Sequence, residues 1–283
     1  MAFFFVFAKI INMKTIKRLL LSILIIVIFF FGFIYKINEP DFTFPETFEK
    51  KEILVGTGHR PVLETKSSLE PEVKTEPEPA PLTAISQPKP NIINQTIPFV
   101  SQAPLADWSN SVFQDACEEA SVIIALAWVN GTDLDKHIMT DKILQLADWQ
   151  KKTYGEYRDT SAQDVINRLF NGYFGYTNAL LKEIKSAADI ISELEAGNII
   201  ISPMNGQALK NPHFTSPGPE RHMVVVKGYD YATKEFITND PGTQYGADYR
   251  YKADLFFKAI RDYTTGYHEP FPKISKNIII IKK

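Results

Sequence analysis

Between residues 64 and 90 the chain is dense in Glu, Pro, Lys and Ser, as in Leu69-Glu70-Pro71-Glu72-Val73-Lys74-Thr75-Glu76-Pro77-Glu78-Pro79. Repeated prolines fix φ and remove backbone donors, and few apolar side chains remain to bury. An extended, disordered spacer is expected there, which confines any packed core to one side of it. On the near side, Lys14, Lys17 and Arg18 precede an apolar run over residues 19–35 broken only by Ser22 and Gly32. About 17 residues at 1.5 Å each make a helix of roughly 25 Å, close to the minimum for crossing a bilayer core. The basic residues lie before the run, and Asn38, Glu39 and Asp41 follow it. The positive-inside rule then places the N-terminus in the cytoplasm and the rest outside. A cleaved signal peptide competes with this reading, but Lys36-Ile37-Asn38-Glu39-Pro40 lacks the small-x-small pattern that cleavage needs. The expected organisation is a cytoplasmic N-terminus and transmembrane signal anchor (1–36), a Pro/Glu-rich linker (37–92) and a globular domain (93–283). The protein is thereby expected at the cell membrane as a single-pass chain, held through residues 19–35, with its domain on the extracytoplasmic side.

Composition narrows the function classes. A net charge of −2 over 283 residues implies no general affinity for nucleic acid. A single cysteine excludes an internal disulfide and any zinc site built from several cysteines. No Walker-type phosphate loop is present, and no cofactor or metal is expected.

The domain begins near Ile92, and about 190 residues suffice for one good core. Residues 97–100 read as a short strand, followed by a polar loop over 102–114 that contains Trp108. A helix is expected from at or just before Cys117, with Asp115 as a good N-cap type, stopping at Asn130-Gly131. Residues 134–152 and 162–170 read as further helices, the second capped by Thr160 or Ser161, and 187–196 as a short one ended by Gly197. Strands then dominate, at 199–201, 223–226, 236–238 and 278–281, with a late helix over 252–260. Helices first and strands second argue for an α+β class, a helical lobe packed on an antiparallel sheet and preceded by one transmembrane helix.

Candidate chemistry centres on Cys117, the only cysteine. Unpaired N–H groups at a helix start favour a thiolate, with Glu118 and Glu119 in the first turn where the dipole favours negative charge. The alternative is an inert packed thiol. A thiol nucleophile needs a base and a group that orients the base. Among His59, His137, His213, His222 and His268, the first lies in the linker and the second on a charged helix. His222 opens the strand expected at 223–226, and Asn239-Asp240-Pro241-Gly242 closes the next strand. Two antiparallel strands joined by a turn would set His222 beside Asp240, with Asn239 competing for the orienting role. Residues 205–220, which contain Gly and Pro and lie just before His222, are expected to form an ordered surface loop, with one wall of the cleft as the alternative.

The residues Ile97-Pro98-Phe99-Val100-Ser101-Gln102, Asp115-Ala116-Cys117-Glu118-Glu119-Ala120-Ser121, Arg221-His222-Met223-Val224-Val225-Val226 and Asn239-Asp240-Pro241 resemble, in order, the motifs of the C39-like cysteine peptidases. The resemblance covers roughly residues 95–262. It implies a papain-like cysteine peptidase fold, Cys117 as nucleophile, His222 as base, Asp240 as orienter, and a glutamine before the cysteine as oxyanion donor. Gln102 is the choice for that donor, with Gln114 as its rival because the Gln-to-Cys gap is long. The implied function is a cysteine peptidase acting on a peptide or cell-wall peptide, without nucleic acid. A cell-wall amidase or acyltransferase using the same triad is the alternative, and a non-catalytic peptide-binding module the other.

Overall fold

The computed structural model describes residues 91–271 and 273–283. The expected anchor over 19–35 and nearly all of the 37–92 linker lie outside the described residues. Among the described residues, no helix is long and apolar enough to cross a membrane.

Among the described residues, seven strands form one antiparallel sheet: β1 (Ile92–Asn94), β2 (Ala179–Glu183), β3 (Ile199–Met204), β4 (His222–Asp230), β5 (Glu235–Asn239), β6 (Tyr249–Lys252) and β7 (Asn277–Ile281). Their spatial order is β2-β7-β3-β4-β5-β6, and β1 pairs with the far end of β4. Ile199-Ile200-Ile201, Val224-Val225-Val226 and Ile278-Ile279-Ile280 stack in register at the centre, Ile200 opposite both Val226 and Ile280. β-Branched side chains suit the pleat, and burying each contributes about 1.5–3 kcal/mol, so these three strands anchor the core of the described domain.

Alternation along those strands sends side chains to opposite faces. Ile199, Ile201, Val225 and Ile279 pack with Ile124, Met139, Ile143 and Phe170, which come from the helical segments between β1 and β2. These are α1 (Ser111–Gln114), α2 (Cys117–Asn130), α3 (Lys136–Tyr154) and α4 (Ala162–Asp164), the last continuing as a π-helical stretch over Val165–Tyr173. Ile200, Val224, Val226 and Ile278 face the other way, onto Ile190 and Leu194 of α5 (Ala187–Glu195), Leu209 of α6 (Gly206–Leu209) and Phe256 of α7 (Ala253–Ala259). The sheet is therefore covered on both sides, whereas the sequence pattern suggests a helical lobe on one. The α+β class and the antiparallel sheet stand as expected.

Several local expectations differ from the structure. Residues 97–100 are not in a strand; the pairing segment is β1, earlier in the chain. Asp115 is not the N-cap of α2: it closes α1, and Ala116 holds the N-cap position with no side-chain hydrogen bond. α3 starts instead from Asp135, whose carboxylate accepts from the N–H groups of His137 and Ile138. α2 ends where expected, Gly131 adopting the left-handed φ of 64° that a residue without Cβ takes at least cost. From Cys117 to Trp128 every residue of α2 is buried. A helix apolar on all sides is enclosed on all sides, so its few polar residues are enclosed with it.

Candidate active site

Cys117 is the first residue of α2 and opens onto a cleft of about 680 Å³. His222, the first residue of β4, lines the same cleft. β4 and β5 pair with Val225 opposite Asn239, and the chain beyond β5 turns back at Asp240. The turn sets Asp240 against the imidazole: His222 Nε2 lies 2.8 Å from Asp240 Oδ1, the two side chains 2% and 0% exposed. Spacing along the sequence predicts this contact.

Asp240 is held from every side. Its Oδ1 also accepts from the Gly242 N–H at 3.0 Å, and its Oδ2 from the Tyr251 hydroxyl at 2.6 Å. Asn211 Nδ2 donates to the Tyr251 oxygen at 2.7 Å and approaches Oδ2 at 3.5 Å. Burial would raise the Asp240 pKa, but His222 and these donors outweigh it and hold the carboxyl below its ordinary range. An ionised Asp240 makes Nε2–H the donor, which leaves Nδ1 as the ring nitrogen able to accept a proton. Phe214 packs edge-on against the imidazole, ring centres 5.2 Å apart. At Gly242, an added Cβ would sit 2.7 Å from His222 Cε1, so the close approach of the turn to the ring requires glycine here. Asn239 is turned elsewhere, its Nδ2 donating to Pro98 O at 3.3 Å and its Oδ1 accepting from Asp248 N.

The surroundings of the sulfur oppose the thiolate that a helix start is expected to favour. The thiol lies 3.0 Å from Glu118 Oε2, and Glu118 and Glu119 are 1% and 0% exposed. Burial pushes the Cys117 pKa well up, and the carboxyls of Glu118, Glu119 and Asp159 push it the same way when ionised. These oppose the helix dipole. Glu118 Oε1 accepts from the Tyr263 hydroxyl at 2.7 Å and the Thr160 N–H at 3.1 Å, and Glu119 accepts from Gln150 Nε2. The signal for buried carboxylates was present in the apolar run that surrounds them, Ala116, Ala120 and residues 122–129. Tyr263, Tyr251 and Asn211 carry no local motif; only the fold brings them in.

Gln102 is buried, with Nε2 donating to Phe113 O at 2.9 Å and Gln114 O at 3.0 Å, while its Oε1 has no partner. Both amide hydrogens thus tie down the turn that precedes Cys117. Gln114 also lines the cleft, giving one amide hydrogen to Trp108 O at 2.8 Å and keeping the other. The rim is completed by Trp108, Thr243, Tyr245 and the loop residues His213, Phe214 and Thr215. That loop forms a cleft wall, and His213 packs on Tyr245 with ring centres 4.7 Å apart. Among the described residues, no group of three or more His, Cys, Asp or Glu is arranged to hold a metal ion.

The arrangement offers a thiol beside unpaired helix N–H groups, an imidazole with one free nitrogen, and an ionised carboxylate that fixes the ring. Comparison with known proteins bears on the same region. No curated protein matches the chain. A crystal structure of a Bacillus anthracis protein, assigned as a C39-like peptidase, is similar over 68% of this chain and 98% of its own, at 18% identity and a TM-score of 0.44. The sequence pattern of the Peptidase_C39 like family matches residues 94–269, a span that contains Cys117, His222 and Asp240. On that match the chain belongs to the Peptidase_C39 like family.

Proposed function

We propose that the protein is a membrane-tethered cysteine peptidase that hydrolyses peptide bonds on the extracytoplasmic side through Cys117, His222 and Asp240. The observation that carries this reading is the 2.8 Å contact between His222 Nε2 and Asp240 Oδ1 on the wall of the cleft that Cys117 also lines. The tether rests on Lys14, Lys17 and Arg18 ahead of the apolar run at 19–35.

In this mechanism His222 Nδ1 takes the thiol proton and the sulfur attacks the substrate carbonyl carbon. Asp240 stabilises the imidazolium that forms. The imidazolium then protonates the leaving amine, the C–N bond breaks, and a thioester remains on Cys117. Water attacks the thioester with His222 as base, releasing the acid and restoring the thiol. The Cys117 backbone N–H, at the first helical position, serves the oxyanion. A glutamine amide supplies the second donor. Gln114 has a hydrogen to spare, whereas Gln102 must first release Phe113 O or Gln114 O. Comparing kcat for Gln102→Ala and Gln114→Ala separates the two, the true donor costing about 10²–10³.

The decisive experiment is Cys117→Ala in the full chain, assayed against peptide libraries and peptidoglycan fragments. The variant should keep the wild-type unfolding midpoint and lose turnover. Wild-type turnover in that variant ends the assignment.

A further inference from the structure

Glu118 follows the nucleophile directly, and its two oxygens have different neighbours. Oε1 accepts two hydrogen bonds, from Tyr263 O–H at 2.7 Å and Thr160 N–H at 3.1 Å. Oε2 meets only the Cys117 sulfur, at 3.0 Å, a contact that one hydrogen fills, either the S–H of the thiol donating to Oε2 or the carboxyl's own hydrogen donating to sulfur. None of these partners is a cation. A neutral carboxylic acid satisfies this pattern completely: its carbonyl oxygen accepts twice and its hydroxyl donates once. A carboxylate satisfies it poorly, because a buried charge without a countercharge is costly. It would also repel the thiolate that the reaction must form.

We propose that Glu118 is a neutral carboxylic acid whose O–H donates to the Cys117 sulfur, making it a positioning residue that holds the thiolate in the cleft. The inference rests on Cys117 being the reactive sulfur of the proposed peptidase. When His222 takes the thiol proton, Glu118 keeps its own, and the thiolate gains a charge-assisted donor.

The charged groups around the pair favour the neutral form. Glu119 lies on the same helix and Asp115 on the turn before it, and Asp159 and Arg158 come from the loop after α3. Arg221 and His268 stand on the cleft wall, with Arg221 ion-paired to Asp159 and to Glu220. Tyr263 packs from the segment after α7, and His222, paired with Asp240, lines the same cleft. Carboxylates thus outnumber free cations at this end of α2. Burial, with Asp159 adding to it, raises the Glu118 pKa, against the lowering by the Cys117 and Tyr263 contacts.

The chain has one cysteine, so the rate of alkylation by uncharged iodoacetamide reads Cys117 alone in the full-length protein. Glu118→Gln keeps a donor towards sulfur and an acceptor towards Tyr263 and Thr160. Its alkylation rate at pH 7 should stay within about threefold of wild type, while Glu118→Leu should lose about tenfold, equivalent to one unit in thiol pKa. In the infrared difference spectrum of wild type minus Glu118→Gln, the carbonyl band of a protonated carboxyl should appear at pH 7 and shift in D₂O. A tenfold rise in alkylation in Glu118→Gln would mean that a carboxylate had been suppressing the thiolate, and overturns the proposal. Absence of the carbonyl band overturns it as well, and that arm stands even if Glu118→Leu fails to fold. Neither readout needs a substrate, so a protein inactive on every peptide would leave this result intact.

Discussion

Replacing Gly242 by alanine tests the imidazole's position without touching any group that reacts. The added methyl would lie 2.7 Å from His222 Cε1, 3.1 Å from Nε2 and 3.1 Å from Phe214 Cε1. Ordinary contact begins at 3.4 Å, so the ring or the turn must give by about 0.7 Å. The ring has little freedom to do so, being 1% exposed and closed in by Phe214 on one side and Asp240 on another. If the ring moves, the 2.8 Å bond to Asp240 lengthens and the imidazole is turned out of the orientation that bond fixes. If the turn moves instead, the Gly242 N–H leaves Asp240 Oδ1. A misplacement approaching 1 Å in such a constellation costs up to about 10²-fold in rate. The overpacking costs about 1–3 kcal/mol, which for a domain near this size lowers Tm by roughly 2–4 °C per kcal/mol. The assay is kcat/KM on a peptide that wild type cleaves, with Tm by circular dichroism and the iodoacetamide rate on Cys117. The expected result is a fall of roughly 10–10²-fold in kcat/KM with the fold retained. Wild-type kcat/KM in a folded Gly242→Ala protein would falsify the placement of His222 as the base.

Two further outcomes follow from the same geometry. Tyr251→Phe removes the 2.6 Å donor from Asp240 Oδ2 and should cost about 1.5–3 kcal/mol. Asp240 is held below its ordinary range in the folded state, so its contribution to stability is present above the unfolded carboxylate value and disappears as pH falls through the folded one. The variant's Asp240 moves back up, and its acid-unfolding midpoint by circular dichroism should rise; coincident midpoints would contradict the linkage. At Gly228, an added Cβ would fall 2.2 Å from Ile93 O. Gly228→Ala should therefore detach β1 from β4 and lower Tm by several degrees while leaving the Cys117 alkylation rate near wild type, and an unchanged Tm would refute the close approach.

What sequence alone could reveal follows from how local each cause is. The Ile and Val runs of β3, β4 and β7 announce strands because β-branched side chains at consecutive positions have few other uses in a soluble domain. β2 (Ala-Leu-Leu-Lys-Glu) and β6 (Tyr-Arg-Tyr-Lys) do not, since edge strands carry charge and need no branched core. Pro98 cannot donate to a ladder, which is consistent with residues 97–100 packing against the core outside the sheet. Apolar spacing locates a helix after Ser161 but does not distinguish 3.6 residues per turn from the wider π stretch that Val165–Tyr173 adopts. At the site, the pairing of His222 with Asp240 is legible because two adjoining strands and one turn determine it. The enclosure of Glu118 is not, because Thr160 and Tyr263 reach it from 42 and 145 residues away.

The placement of His222 has a consequence for how the cleft adapts to what enters it. All nine residues of β4 are buried, and the strand pairs with β3 from His222 and with β5 from Val225, so it has little slack to share with the imidazole at its first position. Adjustment to different ligands must therefore come from the rim, where Trp108, His213 and Tyr245 stand on loops and reach solvent. In the proposed peptidase the buried wall sets where the bond breaks, and the aromatic margin chooses what is brought to it.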